Sequence, residues 1–149
     1  MQPTILITGG GGFIGNWVVR EALDRGLRVV VFDVGDRPPR WQRVLGVRAA
    51  AVPLVRGNLL DRELLGRVLD EHHVTHVIHL AALLTPGCQQ DPFEGARVNV
   101  LGSVALFEEV RTRAEGYRQR HEAHQAREAG RSARRHAHLA GHTPASARP

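Results

Sequence analysis

Gly9 to Gly12 are four consecutive glycines, and with Gly15 they place glycine at the spacing G-x-x-G-x-x-G. Without a Cβ the chain can turn sharply there and let another group come up against its backbone. If such a turn opens a helix, its free N–H groups converge on one spot and attract an anion, and a pyrophosphate suits this spacing. Gly9, Gly12, Phe13, Ile14 and Gly15 are the candidate phosphate-facing residues. A second chemical signal is Asp33, which stands 18 residues after Gly15 at the end of the apolar run Arg28 to Asp33. A carboxylate at that place accepts hydrogen bonds from the hydroxyls of an adenosine ribose and repels a 2′-phosphate, which favours NAD as cofactor over NADP. Arg37 and Arg40, downstream, are read as solvated loop residues and not as partners of such a phosphate. A glycine turn alone would be weak evidence; with an acid closing the next strand it points to a dinucleotide.

Other residues with chemical potential carry less. His76 and His79 lie three apart in a strand-like run, so they face opposite ways and cannot share a metal. They are read as structural. His121 and His124 could share a helical face, and His136, His138 and His142 cluster loosely, but none has H-E-x-x-H spacing, so no metal is assigned. Cys88 is the single cysteine. It can form neither an internal disulfide nor a thiolate metal site, which fits a reducing, cytoplasmic setting.

The elements that must hold these residues are legible from periodicity. Pro3 to Thr8 reads as a buried strand running into the glycines. From Phe13 the pattern turns helical, with Ile14, Val18 and Ala22 on one face and Gly26 as the stop. Arg28 to Asp33 is apolar throughout, as expected of a parallel strand covered on both sides. Val34 to Arg43 reads as a loop and Ala51 to Arg56 as a third strand. Asp61 can cap a helix that buries Leu64, Leu65, Val68 and Leu69 and ends near His72. Thr75 to Ala81 is a fourth strand. A loop with Pro86, Gly87 and Pro92 follows, then a helix from Phe93 to Arg111 with Val98, Leu101, Ala105 and Leu106 as its apolar stripe. Strands separated by helices require parallel pairing and right-handed crossovers, here in the order 3-2-1-4 of a Rossmann-type α/β sheet.

A chain of 149 residues, 42% apolar, has the size of one domain, and no apolar run approaches the length of a membrane span. Its net charge of +5 is unevenly distributed. Residues 1–110 hold 11 Arg against 12 acids, whereas residues 111–149 hold 9 Arg against Glu115, Glu122 and Glu128. Residues 111–149 have only Tyr117 and Leu139 as large apolar side chains. The expected division is therefore a dinucleotide-binding part, residues 1–111, and a poorly ordered or weakly helical basic tail, residues 112–149. A GC-rich gene read out of frame would encode such a mixture.

The segments ITGGGGFIG (Ile7 to Gly15), VVVFD, GNLLDRELL (Gly57 to Leu65), VTHVIHLAA (Val74 to Ala82) and DPFEGARVNVLGSVALFEEVR (Asp91 to Arg111) follow one another in an order that resembles the extended short-chain dehydrogenases/reductases. That family includes the NAD-dependent sugar epimerases and dehydratases. The resemblance implies that Asn58 and Leu59 border the adenine and that Leu80, Ala81 and Ala82 line the cofactor. It also implies that Asn99 faces the dinucleotide from the following helix. The family usually has aspartate where this chain has Asn58. The plainer readings are core for Leu59 and Leu80, and a loop cap for Asn99.

In the family a tyrosine followed four residues later by a lysine performs the acid–base step. Here the only tyrosine, Tyr117, is followed at that interval by His121, and there is no lysine. No catalytic residue is assigned. The expectation is the NAD-binding part of an epimerase/dehydratase-type oxidoreductase, truncated and inactive alone, with a nucleotide-sugar substrate only in a full-length relative. The alternative is a non-catalytic binding module whose basic tail contacts nucleic acid or another acidic partner. The tail has no aromatic platform or docking element, which puts nucleic acid second.

Overall fold

A computed structural model describes residues 2–116. Up to Val110 they form one compact unit. Its elements are β1 (Thr4–Thr8), α1 (Phe13–Asp24), β2 (Arg28–Asp33), α2 (Arg40–Leu45), β3 (Leu54–Arg56), α3 (Arg62–Glu71), β4 (His76–His79), α4 (Thr85–Gln90) and α5 (Pro92–Ala96). A 3₁₀ turn, Gly46–Ala50, follows α2, and a π-turn, Arg97–Leu101, follows α5. Residues 102–110 are helical and are called α6. Of the second unit, residues 111–116 are described and are also helical. Tyr117, the tail histidines and the expected tail from residue 117 onward lie outside the described residues.

The four strands form one parallel sheet in the order β3-β2-β1-β4. Alternation along the strands sends successive side chains to opposite faces. Ile7, Val29 and Val31 pack with Val19 and Ala22 of α1 and with Trp41 and Leu45 of α2. Leu6, Val30 and Phe32 pack on the other face with Leu59, Leu65, Val68 and Leu106. Each fully buried side chain of this kind contributes roughly 1.5–3 kcal/mol against the entropy of folding. This two-sided burial explains the unbroken apolar run of β2. Register places Thr8, the last residue of β1, between Phe32 and His79.

Several local expectations are corrected. On α1 the buried stripe is Gly15, Asn16, Val19 and Ala22, while Ile14 is exposed, because the helix starts against the Gly9–Gly10 backbone through the missing side chain of Gly15. β3 begins only at Leu54: Ala51 and Val52 precede it, and Pro53, with no N–H to give, still accepts from Val31 N–H at 2.9 Å. The stretch read as a loop from Val34 to Arg43 already contains the start of α2, whose Trp41 is fully buried. The loop around Pro86 contains the short helix α4, with proline in its first turn.

Leu101 is exposed, against its expected place in the core. The π-turn is the cause: Gly102 N–H reaches back to Arg97 O, five residues away, and the extra residue shifts the helix phase. Gly102 takes the buried position, where a Cβ would meet Leu59 Cβ at 2.9 Å.

Candidate functional site

The glycine turn sits at the carboxyl end of β1, as the alternation of strand and helix demands. Gly9 adopts φ +70, a conformation that side chains rarely take. A Cβ there would also lie 2.7 Å from Ala81 N and 2.8 Å from Leu80 C. Glycine at this position therefore permits both the turn and a close seam between β1 and the segment after β4. Gly9 N–H donates to Phe32 O at 2.9 Å, and Gly12 N–H closes the turn onto Gly9 O at 3.0 Å. A Cβ at Gly15 would strike Gly9 O and stand 2.6 Å from Gly10 Cα, so this glycine is what lets α1 start against the turn.

Gly12 is different in kind. Its backbone is extended, and a Cβ there would meet nothing of the protein but Gly9 O at 3.1 Å. The space over Gly12 is open. No side chain caps α1, and the first backbone bond of its opening turn is Asn16 N–H to Gly12 O at 3.2 Å. The N–H groups of Phe13, Ile14 and Gly15 thus have no intrahelical acceptor, as at any helix start. Inside the turn, the buried Asn16 amide donates to Gly12 O at 2.8 Å and to Phe13 O. That strap had no sequence signal beyond a polar residue on an otherwise apolar face.

Asp33 closes the opposite side. One carboxylate oxygen accepts from Gly11 N–H at 2.9 Å and the other from Gly35 N–H at 3.0 Å. The acid is thereby fixed beside the turn, with lone pairs left for further donors. Arg37 is an exposed loop residue, as expected, but its side chain is engaged. It donates to Ala49 O and to Val52 O, the latter at 2.9 Å, and its guanidinium lies 5.1 Å from the centre of the Trp41 ring. Its guanidinium thereby ties the 3₁₀ turn and the residues after it to Trp41 of α2.

Gly57 N–H donates to Asp33 O at 2.9 Å, which brings Asn58 and Leu59 to the same end of the sheet. Asn58 is exposed, and its Oδ1 accepts from Leu60 N–H at 3.0 Å, leaving its NH₂ outward. Leu59 is only 4% exposed and belongs to the core. Leu80 and Ala81 border Gly9 directly, and the exposed Ala82 follows them. Asn99 brackets the loop after β4: its Oδ1 accepts from Leu83 N–H at 2.7 Å and its Nδ2 donates to Leu83 O at 3.0 Å. The structure therefore gathers the glycine turn, Asp33, Asn58 and Leu80 to Ala82 at one edge, with Leu59 and Asn99 as supports.

His76 and His79 turn to different partners. His76 meets Thr75 Oγ1 at 2.9 Å, whereas His79 lies between Thr8 Oγ1 at 2.6 Å and Ser103 Oγ at 2.9 Å. Burial lowers the pKa of His79, which keeps the ring neutral more readily than an exposed histidine. Cys88 is half-buried and donates to Leu83 O at 3.1 Å.

The turn fits a diphosphate: open space over Gly12, uncapped N–H groups at the start of α1 and an acid fixed one strand away. Glycine turn, parallel order 3-2-1-4 and acid-ended second strand together make this a Rossmann-type unit. The NAD dependent epimerase/dehydratase family model matches residues 5–129, a span that runs past Arg111 into the arginine-rich segment. The chain belongs to that family.

Among its relatives, UDP-glucose 4-epimerase of Haemophilus influenzae is 36% identical over 110 residues, covering 72% of this chain and 32% of the relative. The UDP-glucose 4-epimerase of Thermus thermophilus, solved in complex with NAD, is 37% identical with a TM-score of 0.63, covering 73% of this chain and 34% of that one. The enzyme from Bifidobacterium longum, solved with NAD+ and UDP, is 30% identical with a TM-score of 0.63, covering 73% and 33%. The chain spans about a third of the length of these relatives. Among the described residues no helix is long and apolar enough to cross a membrane.

Proposed function

We propose that this chain binds NAD through the adenosine-diphosphate half of the cofactor, as the cofactor-binding part of an epimerase/dehydratase-type oxidoreductase. The observation that carries the proposal is the pairing of Asp33 with Gly11 N–H at 2.9 Å beside the open, uncapped start of α1. In this reading the N–H groups of Phe13, Ile14 and Gly15 hold the pyrophosphate. Asp33 accepts from the ribose hydroxyls, Asn58 presents its NH₂ to the adenine, and Leu80, Ala81 and Ala82 form the wall toward the nicotinamide half. Asn99 supports that wall through Leu83. The engagement of Arg37 elsewhere and the charge of Asp33 both favour NAD over NADP.

NAD supplies a reversible hydride acceptor when bound. The residues of this chain bind and orient the cofactor; the acid–base pair of the family has no counterpart here, since Tyr117 has no lysine to accompany it. Residues 1–149 alone are therefore proposed to bind without turning over a nucleotide sugar, and such a substrate belongs to a longer relative.

Titrating NAD calorimetrically into the native chain and into Gly12→Val tests the assignment. The native chain is expected to bind. The variant is expected to keep its fold, because a Cβ at Gly12 meets little of the protein, and to lose at least tenfold in affinity, because the side chain fills the space the phosphates need. Equal binding by both would place the pyrophosphate elsewhere.

A further inference from the structure

His79 sits at the centre of a hydrogen-bonded line that joins three elements. At one end Ser103 donates its hydroxyl hydrogen to Asn99 O at 2.7 Å, bonding back one helical turn. A hydroxyl has a single hydrogen, so toward His79 the Ser103 oxygen can only accept, and the ring Nε2 at 2.9 Å must donate to it. A neutral imidazole carries one ring hydrogen, which leaves Nδ1 as an acceptor. Its partner at 2.6 Å is Thr8 Oγ1, whose hydrogen therefore points to the ring. The Thr8 oxygen in turn accepts from Leu80 N–H and Ala81 N–H, both at 3.3 Å. Every donor and acceptor in the line has one consistent direction.

The position of the line gives it a consequence. Thr8 is the last residue of β1, immediately before the glycine turn, and Leu80 and Ala81 are the wall that a Cβ on Gly9 would strike. Leu80 N–H has a second acceptor in Thr8 O at 3.0 Å, whereas Thr8 Oγ1 is the acceptor of Ala81 N–H. At the other end, the carbonyl that receives Ser103 belongs to Asn99, which grips Leu83 on both its N–H and its C=O. The line therefore ties both ends of the Leu80 to Leu83 segment, one through Thr8 and one through Asn99. Phe107 makes a T-shaped contact with the ring, 5.9 Å between centroids.

We propose that His79 is a positioning residue of the cofactor cleft: as the Nε2–H tautomer it orients Thr8 and Ser103, and so sets the wall of Leu80 and Ala81 against the glycine turn. It touches neither pyrophosphate nor ribose and acts through its two hydroxyl neighbours. Glutamine can replace it in kind, since one amide oxygen accepts from Thr8 and one amide nitrogen donates to Ser103. Leucine keeps the bulk and removes both bonds. The effect on binding rests on the cleft being the dinucleotide site; the tautomer and the state of Ala81 N–H do not.

The test uses the full chain as native protein, His79→Gln and His79→Leu, with ¹⁵N NMR of the ring, amide exchange, and titration with ADP as probe. The native ring is expected to show Nε2–H with Nδ1 unprotonated. His79→Leu is expected to accelerate exchange at Ala81 selectively and to weaken ADP about tenfold, the size expected when a buried donor or acceptor loses its partner. His79→Gln is expected to stay within about threefold of native on both readouts. An Nδ1–H ring, uniform acceleration of all amides in His79→Leu, or indistinguishable Gln and Leu variants would overturn the proposal. If His79→Leu does not fold, the ring tautomer and the Gln variant still decide it. Absence of ADP binding by the native chain would overturn the cleft reading and with it the effect on binding, while tautomer and exchange would continue to test the line itself.

Discussion

Asp33 and the five glycines of the turn divide the work of the site by what each can tolerate. Gly9 and Gly15 are glycine because of the protein: the first for φ +70 and its seam with Ala81, the second for contact with the Gly9–Gly10 backbone. At Gly12 the protein itself offers a Cβ only Gly9 O at 3.1 Å, and the proposed reason for glycine there is the approach of the pyrophosphate. Gly15→Ala is therefore expected to destabilise the fold by about 1–3 kcal/mol, the usual cost of forcing atoms into a packed contact, and more than Gly12→Val, whose Cβ would meet only Gly9 O. Chemical denaturation of the two variants side by side checks this.

On the proposed reading, Asp33→Ala removes a ribose acceptor and a charge that repels a 2′-phosphate. It also frees Gly11 N–H and Gly35 N–H, so both cofactors should weaken. The informative quantity is the NAD to NADP affinity ratio, which should fall; an unchanged ratio would remove Asp33 from the ribose site.

His79 makes a prediction in pH. Its folded pKa is lowered by burial, and Thr8, Ser103 and Phe107, the groups packed on the ring, carry no charge that could offset this. With a lowered folded pKa, the unfolded chain takes up the proton first as pH falls below about 6.5. The stability contribution is thus complete above that pH and declines as pH falls toward the folded pKa. The gap between native and His79→Gln melting temperatures should change across this window and stay constant above it.

At the level of strands and helices, what the amino-acid pattern revealed follows from the range of the forces involved. β1, β2, α3 and the order 3-2-1-4 were legible because their apolar spacing and the Asp61 cap are local facts, and Asp61 does accept from Leu64 N–H at 3.0 Å. Ile14 and Leu101 were misplaced because close approach at Gly15 and the π-turn are tertiary: each rotates a helix face relative to its periodicity. The residues of the proposed site were legible as types, the glycines and the acid, but their supports were not. Thr8, Ser103 and Arg37 act across long sequence separations, 71 residues between Thr8 and His79, and no spacing rule announces such a pair.

Arg37 illustrates how such a support should behave. Arg37→Ala removes two bonds to backbone carbonyls and a cation–π contact with the buried Trp41. A loss of about 1–3 kcal/mol is expected, with little change in the NAD to NADP ratio. A marked gain in NADP discrimination or its loss would instead make Arg37 a cofactor contact.

Taken as one molecule, the described unit has the glycine turn and Asp33 at one end of its sheet and open apolar surface beside them. A groove of about 760 Å³ runs along α1 toward β4, with Ile5, Trp17, Val18 and Ile78 among its lining residues. On the other side Val100, Val104 and Phe107 are exposed. Among the described residues β4 has β1 as its sheet neighbour on one side only. The polar features of the cleft, by contrast, concentrate around the glycine turn and Asp33, the half that would meet adenosine diphosphate. Affinity should accordingly come from that half, with little added by nicotinamide.

Parallel titrations of ADP, NAD and NADH into residues 1–149 measure this directly. ADP and NAD are expected to bind within a few-fold of each other, with NADH alike. Binding of NAD much tighter than ADP would show that this chain also builds the nicotinamide half, and failure of all three to bind would contradict the assignment of the glycine turn and Asp33 as the adenosine-diphosphate site.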